Sequence, residues 1–333
     1  MILLSIIIPT FKPSQLIRKC IKSVYEQKLD QNLIEVILID DNSGKNSNII
    51  FIKNNFKSLR LLKNNKNLGP GISRNIGIRK SKGKYIFFLD SDDFLKKNSL
   101  NKIIDVIKSK NVDVIFFDYC LIKNHRRHYF SNYYKFKYSN NEMLTLLLSA
   151  SADTSAIFSL YKKKFLTKNK IYFKKGLHED ILFMFKIFFY SKSKFHLNDY
   201  LYQKVNFEKS IVNTISSKRI IDYFKAFNDI KNFAEKNIDF KLNFEKKILS
   251  GKFGYSYEMI NFIMSRKFSY KKSLFLLNFI YSHINLFFNL KNENTKTFKD
   301  KFVSFFLNNF PQNQKKLDYF RFKRDILKIN EKI

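Results

Sequence analysis

The sequence predicts an α/β protein in which a mostly parallel sheet, covered by helices, precedes a helical C-terminal extension. Three observations carry that reading. Apolar runs alternate with helix-period segments through the first 120 residues. Polar clusters, two of them acid-rich, follow three of those runs. Beyond about Asn140 the pattern turns chiefly helical, and from about Ile215 it is rich in Lys and Phe.

Leu3–Ile8 is an unbroken apolar run, as a strand buried on both faces requires. Ser14–Gln27 carries Leu16, Ile17, Cys20, Ile21 and Val24 at helical spacing. Leu33–Ile39 reads as a second strand and Leu59–Leu62 as a short third. Gly71–Arg79 opens a helix. Tyr85–Leu89 is a fourth strand, Ser99–Ser109 a helix and Val112–Phe117 a fifth strand. This alternation means βαβ units and a largely parallel sheet. Glu142–Ser149, Asp180–Tyr190 and most of the chain from Ser217 onward read as helices. A boundary near 215 separates a core domain, 1–215, from a basic, aromatic-rich helical extension, 216–333.

Composition narrows the class. The 333 residues include 38 Phe and are 45% hydrophobic, which excludes a wholly disordered chain. Two cysteines, Cys20 and Cys120, exclude a disulfide scaffold or a multi-cysteine zinc module and fit a reducing cytoplasm. Both thiols read as small buried hydrophobes. Met1 runs into Ile2, Leu3 and Leu4 without a basic segment, and Pro9 cuts the run short, so no signal peptide is expected. Ser273–Leu290 contains Asn278, His283 and Asn285 and is shorter than the roughly 20 residues of a membrane span. The net charge of +34 either attracts polyanions or reflects a composition biased toward Lys, Asn, Ile and Phe.

The chemistry gathers at the ends of strands. Pro9-Thr10 follows the first, Asp40-Asp41-Asn42-Ser43 the second and Asp90-Ser91-Asp92-Asp93 the fourth. Ligands of open α/β sheets bind at the carboxyl ends of the strands, where all three clusters fall. Three carboxylates within four residues repel unless a cation is shared, and hard oxygen donors suit Mg²⁺ or Mn²⁺. Alternation places Asp90 and Asp92 on a similar side. Capping of the following helix explains one aspartate, not three. The Asp40–Ser43 cluster is either a hydrogen-bonded turn or a ribose- or base-recognising group. Five of the eight glycines lie between Gly44 and Gly83. Asn67–Gly77 is a glycine-bearing loop entering a helix, suited to an anion, with Arg74 able to pair with a diphosphate. It matches neither a P-loop nor the dinucleotide fingerprint. Gly176–Asp180 precedes an apolar helix. Its acids are either a dipole-complementing first turn or a general base for a hydroxyl, and His178 could assist.

Five segments together resemble the GT-A fold, family 2 nucleotide-sugar glycosyltransferases. They are Ser5–Phe11, Ile39–Ser43, Asn67–Asn75, Gly83–Asp93 and Glu179-Asp180. The resemblance covers roughly residues 3–215 and implies a Rossmann-like GT-A core. It implies that Pro9, Thr10, Phe11 and Asp41 line the base and ribose pocket and that Arg74 approaches the nucleotide. Asp90 would lie near the ribose and, with Asp92, on a Mn²⁺ or Mg²⁺ ion, while Asp93 faces the sugar. Asp180 would be the catalytic base, with Glu179 beside it. One base and no evident protein nucleophile suit a single inverting displacement from a nucleotide-sugar donor, and the resemblance implies a UDP-sugar because relatives commonly use one. The acceptor would be a saccharide or lipid-linked hydroxyl in cell-envelope polysaccharide synthesis. After Leu201-Tyr202 the chain departs from the family pattern, reading Gln203-Lys204-Val205-Asn206-Phe207 where an arginine-containing stretch is common. Lys204 could substitute there, as a point charge without bidentate geometry.

Two other classes compete. Charge and 17% aromatic content are ingredients of a nucleic-acid groove, but acidic clusters on the ligand edge would repel phosphate unless a metal were bound, which argues against nucleic acid as the partner. A non-catalytic nucleotide-sugar binder would not need the intact acids. The extension mixes Phe, Leu and Lys at helical spacing in 271–290 and 298–310. It is either a helical subdomain or an amphipathic surface for peripheral contact with an anionic inner leaflet.

Overall fold

A computed structural model of the chain describes residues 1–148, 152–206 and 216–237. The chain divides into two compact units: Met1–Thr145 with Asp153–Ser210, and Leu146–Ala152 with Ile211–Ile333.

The first unit is built on one nine-stranded sheet. Its strands are β1 (Leu4–Thr10), β2 (Ile34–Asp40), β3 (Arg60–Lys63), β4 (Tyr85–Phe88), β5 (Phe94–Leu95), β6 (Val114–Lys123), β7 (Arg126–Phe130), β8 (Ser159–Lys162) and β9 (Lys194–Val205). They lie in the order β3-β2-β1-β4-β8-β6-β9-β5, and β7 pairs with β6 off that path. From β3 to β4 every pairing is parallel. β8 enters antiparallel between β4 and β6, while β6 and β9 run parallel. All seven residues of β1 and all four of β4 are buried, as parallel strands covered on both faces must be.

The helices are α1 (Leu16–Tyr25), α2 (Ser47–Asn55), α3 (Pro70–Lys80), α4 (Ser99–Ser109), α5 (Tyr133–Lys137), α6 (Asn140–Leu148), α7 (Lys163–Lys168), α8 (Asp180–Tyr190) and α9 (Ser217–Glu235). The five strands and the helices α1, α3, α4 and α8 fall where periodicity places them. Three differences have physical causes. The sequence reading has no α2: its start is set by Asn46, whose side chain accepts from the N–H groups of Asn48 and Ile49, not by an apolar stripe. The fifth strand continues past Phe117 to Lys123 because β7 folds back on it as a hairpin. The segment beyond Asn140 is not purely helical, since β8 and β9 return to the sheet.

α3 packs unusually close to β1. A Cβ on Gly77 would lie 2.4 Å from Cγ2 of Ile7, so only glycine admits this approach. Cys20 and Cys120 are free and buried.

Within the second unit the described part includes α9. Ser216 caps it by accepting from the N–H of Arg219, and Tyr223, Ala226, Phe227, Ile230 and Ala234 form its buried stripe. No helix among the described residues is long and apolar enough to cross a membrane. The remainder of the predicted extension, including 271–290 and 298–310, lies outside the described residues.

Candidate active site

The carboxyl ends of β1, β2 and β4 meet along one sheet edge, and the predicted clusters gather there. Thr10 closes β1; it is 3% exposed, and its Oγ1 has no hydrogen-bond partner among the described residues. Phe11 beside it is 47% exposed. Asp41 donates its backbone N–H to the Thr10 carbonyl at 2.8 Å. Its carboxylate accepts from Asn64 Nδ2 at 2.7 Å, Leu68 N–H at 2.9 Å and Gly69 N–H at 2.8 Å. Asp41 therefore pins the Asn64–Gly69 loop to the end of β2. The cluster is a hydrogen-bonded turn, to which Asp40 adds by accepting from Ser43 N–H.

Arg74 lies at the centre of the edge. It is 5% exposed and its guanidinium sits 5.3 Å from the Phe173 ring centre. Nη2 donates to Asp90 Oδ1 at 2.9 Å and Nη1 to Glu179 Oε1 at 2.7 Å; Asp180 Oδ1 is 3.5 Å from Nη1. Burial opposes the positive charge, but the three carboxylates outweigh it and hold the group protonated. The arginine expected at the nucleotide thus ties the acid loop after β4 to the acids opening α8. A lysine could not make this fork.

α3 fixes the same acids in two further ways. Asn75 donates Nδ2–H to the Phe173 carbonyl and accepts the Phe173 N–H on Oδ1, at 2.8 and 2.9 Å. Gly71 meets the loop directly: a Cβ there would lie 2.8 Å from Glu179 Cγ and 2.9 Å from the Lys174 carbonyl oxygen.

Asp180 is the first residue of α8, and its Oδ2 accepts from Ala156 N–H at 3.1 Å. Burial, and secondly the charge of Glu179, push its carboxyl up to about 7, against the lowering effect of Arg74. A carboxylate poised there can take a proton from a hydroxyl near neutral pH. His178 adopts a left-handed backbone, φ 63°, just before the helix.

The acid loop splits into two roles. Asp93, expected to face the sugar, is 2% exposed and turned inward. Its Oδ2 accepts from the Tyr202 hydroxyl at 2.6 Å and its Oδ1 from Val205 N–H at 2.7 Å. The Tyr202 hydroxyl also accepts from Asp90 N–H at 3.1 Å. Burial and the neighbouring acids raise the Asp93 carboxyl well above its usual range. Asp90 remains partly open, with 28% of its side chain exposed, and Asp92 is exposed on the surface. Desolvation by the surrounding loop, then the charge of Asp90, lift the Asp92 carboxyl to about 6. Among the described residues no group of three or more His, Cys, Asp or Glu side chains forms a metal cage. Lys204 stands nearby: its charge acts on Asp92, and its Nζ lies 5.6 Å from the Phe158 ring centre.

Sequence reasoning missed Tyr202 and Asn64, which hold Asp93 and Asp41. Asn64 sits just after the third strand and could have been found as a fourth polar strand end; Tyr202 leaves no such signal.

An α/β sheet with acids at its carboxyl edge and a buried carboxylate of raised pKa suits a group-transfer enzyme. Residues 5–169 match the glycosyl transferase family 2 model. The chain belongs to this family, as a glycosyltransferase. Over 255 residues it is 29% identical to the poly(ribitol-phosphate) beta-N-acetylglucosaminyltransferase TarP of Staphylococcus aureus, covering 75% of this chain and 77% of that protein. It is 31% identical over 121 residues to the glycosyltransferase GlyG of Streptococcus pneumoniae, spanning 39% of that protein. The crystal structure of S. aureus TarS 1-349 with UDP-GlcNAc superposes with a TM-score of 0.64 at 21% identity, covering 85% of this chain and 81% of that one. That likeness establishes the GT-A-like fold.

Proposed function

We propose that the protein is a metal-assisted, inverting glycosyltransferase that moves a sugar from a UDP-sugar to a hydroxyl of a saccharide or lipid-linked acceptor during envelope polysaccharide synthesis. The observation that carries this is the Arg74 bridge. It joins Asp90, on the donor side of this reading, to Glu179 and Asp180, on its acceptor side. Support for the donor and the setting comes from the relatives, among them a poly(ribitol-phosphate) glycosyltransferase and a structure holding UDP-GlcNAc.

Asp180 accepts the proton of the acceptor hydroxyl as that oxygen attacks the anomeric carbon. The new glycosidic C–O bond forms as the bond to the diphosphate oxygen breaks, and the nucleoside diphosphate leaves with the electron pair. Attack opposite the leaving group inverts the carbon. Arg74 and Glu179 hold the base in place and keep its charge balanced. A Mn²⁺ or Mg²⁺ ion, held by Asp90 and Asp92, would offset charge on the leaving group. The protein would work on the cytoplasmic face of the membrane.

Calorimetric titration with nucleoside diphosphates and UDP-sugars, with and without Mn²⁺, tests this reading. Metal-dependent binding that Asp92→Asn abolishes is expected. Binding of no nucleotide by the intact protein, or equal metal-dependent binding by Asp92→Asn, would overturn it.

A further inference from the structure

The transfer chemistry leaves one outer surface of the first unit unused. Five of the eight exposed large hydrophobic side chains among the described residues fall within 129–138, on β7 and α5. Singly scattered apolar side chains are ordinary, but a cluster of them is not. Between Asp118 and Glu142 the sequence has five Lys or Arg and no Asp or Glu. Lys135 is buried against Asp153, which leaves Lys123, Arg126, Arg127 and Lys137 exposed.

Strand register sorts these residues onto faces. Arg127 stands opposite Ile122 of β6, Tyr129 opposite Cys120, and Tyr200 of β9 opposite Asp118. Directly paired residues share a sheet face, so these lie together, on the face away from Tyr119 and Tyr202. The Tyr129 and Tyr200 ring centres are 4.9 Å apart. α5 continues the patch: the Tyr133 ring lies 5.4 Å from that of His196, which bonds Asp118, and 5.9 Å from that of Phe136. Hydrogen bonds hold the patch in shape. Asp118 accepts from Ser131 Oγ at 2.9 Å and Asn132 N–H at 2.8 Å, and Lys194 Nζ donates to the Tyr138 carbonyl at 2.7 Å. The acids on adjoining elements are engaged: Asp118 by His196, Asp199 by Lys96 and Lys102, and Glu142 by Ser139. The patch is thus fixed, aromatic and positive.

We propose that this face seats the first unit on the headgroup layer of an anionic bilayer. Tyr129, Tyr133 and Phe136 enter the boundary between headgroups and acyl chains, and Arg127 and Lys137 meet lipid phosphates. Tyrosine suits that depth because its ring is apolar and its tip polar. A single-stranded nucleic acid needs a groove, whereas all five residues of β7 are exposed and form a ridge. A second copy of the chain, related by a two-fold axis, would set cations against cations. Tyr202, which holds Asp93, lies on the other sheet face, so seating here does not obstruct the acid loop. The contact belongs to the first unit itself, not to the C-terminal extension, and it stands apart from the donor and acceptor assigned above.

The test is co-sedimentation of the full chain with vesicles of phosphatidylcholine alone and of phosphatidylcholine mixed with phosphatidylglycerol. Tighter binding to the mixed vesicles is expected. Arg127→Ala/Lys137→Ala should weaken it about thirtyfold at low salt, and the deficit should shrink in high salt. Tyr129→Ser/Phe136→Ser should weaken it at every salt concentration. Both double variants should keep the wild-type thermal midpoint, since these side chains are exposed. The chain has no Trp, so Tyr129→Trp supplies a single fluorescent reporter, whose emission should shift to the blue on mixed vesicles. No vesicle binding by the wild type, equal binding to neutral and mixed vesicles, or equal binding by the wild type and either double variant would overturn the proposal. So would a reporter that stays in water while the chain is bound, which would move the contact elsewhere. Loss of oligonucleotide binding but not of vesicle binding in the double variants would overturn it too, and make the face a nucleic-acid contact.

Discussion

Asp180 offers a test in which stability and activity move in opposite directions. Its carboxyl is lifted from 3.8 to about 7, chiefly by burial. Ionising it in the folded protein is then disfavoured by roughly 4 kcal/mol relative to the unfolded chain. The sign follows directly. Below pH about 3.8 the group is neutral in both states and has no effect. Between that pH and about 7 only the unfolded chain loses the proton, so stability falls. Above about 7 the penalty is complete and constant. Asp180→Asn removes this dependence. Urea unfolding followed from pH 4 to 8.5 should show the variant gaining on the wild type as pH rises, reaching a few kcal/mol. Over the same range wild-type kcat/KM should climb about tenfold per pH unit and level off near 7, while the variant shows no turnover but binds donor. A variant no more stable than wild type at pH 8, or one that turns over normally, would refute the assignment of a buried base.

Arg74→Gln leaves three acids without their shared cation. It should cost about 3–5 kcal/mol in urea unfolding, and Arg74→Lys should recover only part of that because it cannot bridge two sides at once. Gly71→Ala drives a Cβ into Glu179 and the Lys174 carbonyl, so kcat should fall with little change in nucleotide affinity by calorimetry. Tyr202→Phe keeps the ring but deprives Asp93 of a donor and Asp90 N–H of an acceptor. A loss of about 1–3 kcal/mol by thermal unfolding is expected, and full stability would show the hydroxyl to be dispensable.

Much of the parallel half of the sheet was legible because its strands are buried on both faces and each ends in a polar cluster. Leu4–Thr10 and Ile34–Asp40 announce themselves by unbroken apolar runs. β9 does not: most of its residues are half-buried, and its sequence KFHLNDYLYQKV mixes polar and apolar side chains without a clear face. α2 has a cap but little apolar periodicity. The position of Arg74 was readable, but its partners were not. Glu179 lies 105 residues further along, and no local pattern distinguishes an arginine that meets a phosphate from one that meets a distant carboxylate. The burial of Asp93 was hidden likewise, since its donors come from β9, 109 and 112 residues away.

α3 touches the segment 173–179 at three points: Gly71 against Glu179, Arg74 to Glu179 and Asn75 to Phe173. A single rigid helix thereby sets the spacing between two pieces of chain that are remote in sequence. The intervening hairpin and loops are then free to lengthen, shorten or change composition without disturbing the distance from acid loop to Asp180. Descendants of one catalytic frame could exchange acceptors by altering that insert alone, and a chimaera that swaps residues 119–141 while leaving α3 and the α8 entrance intact would keep its reaction centre aligned.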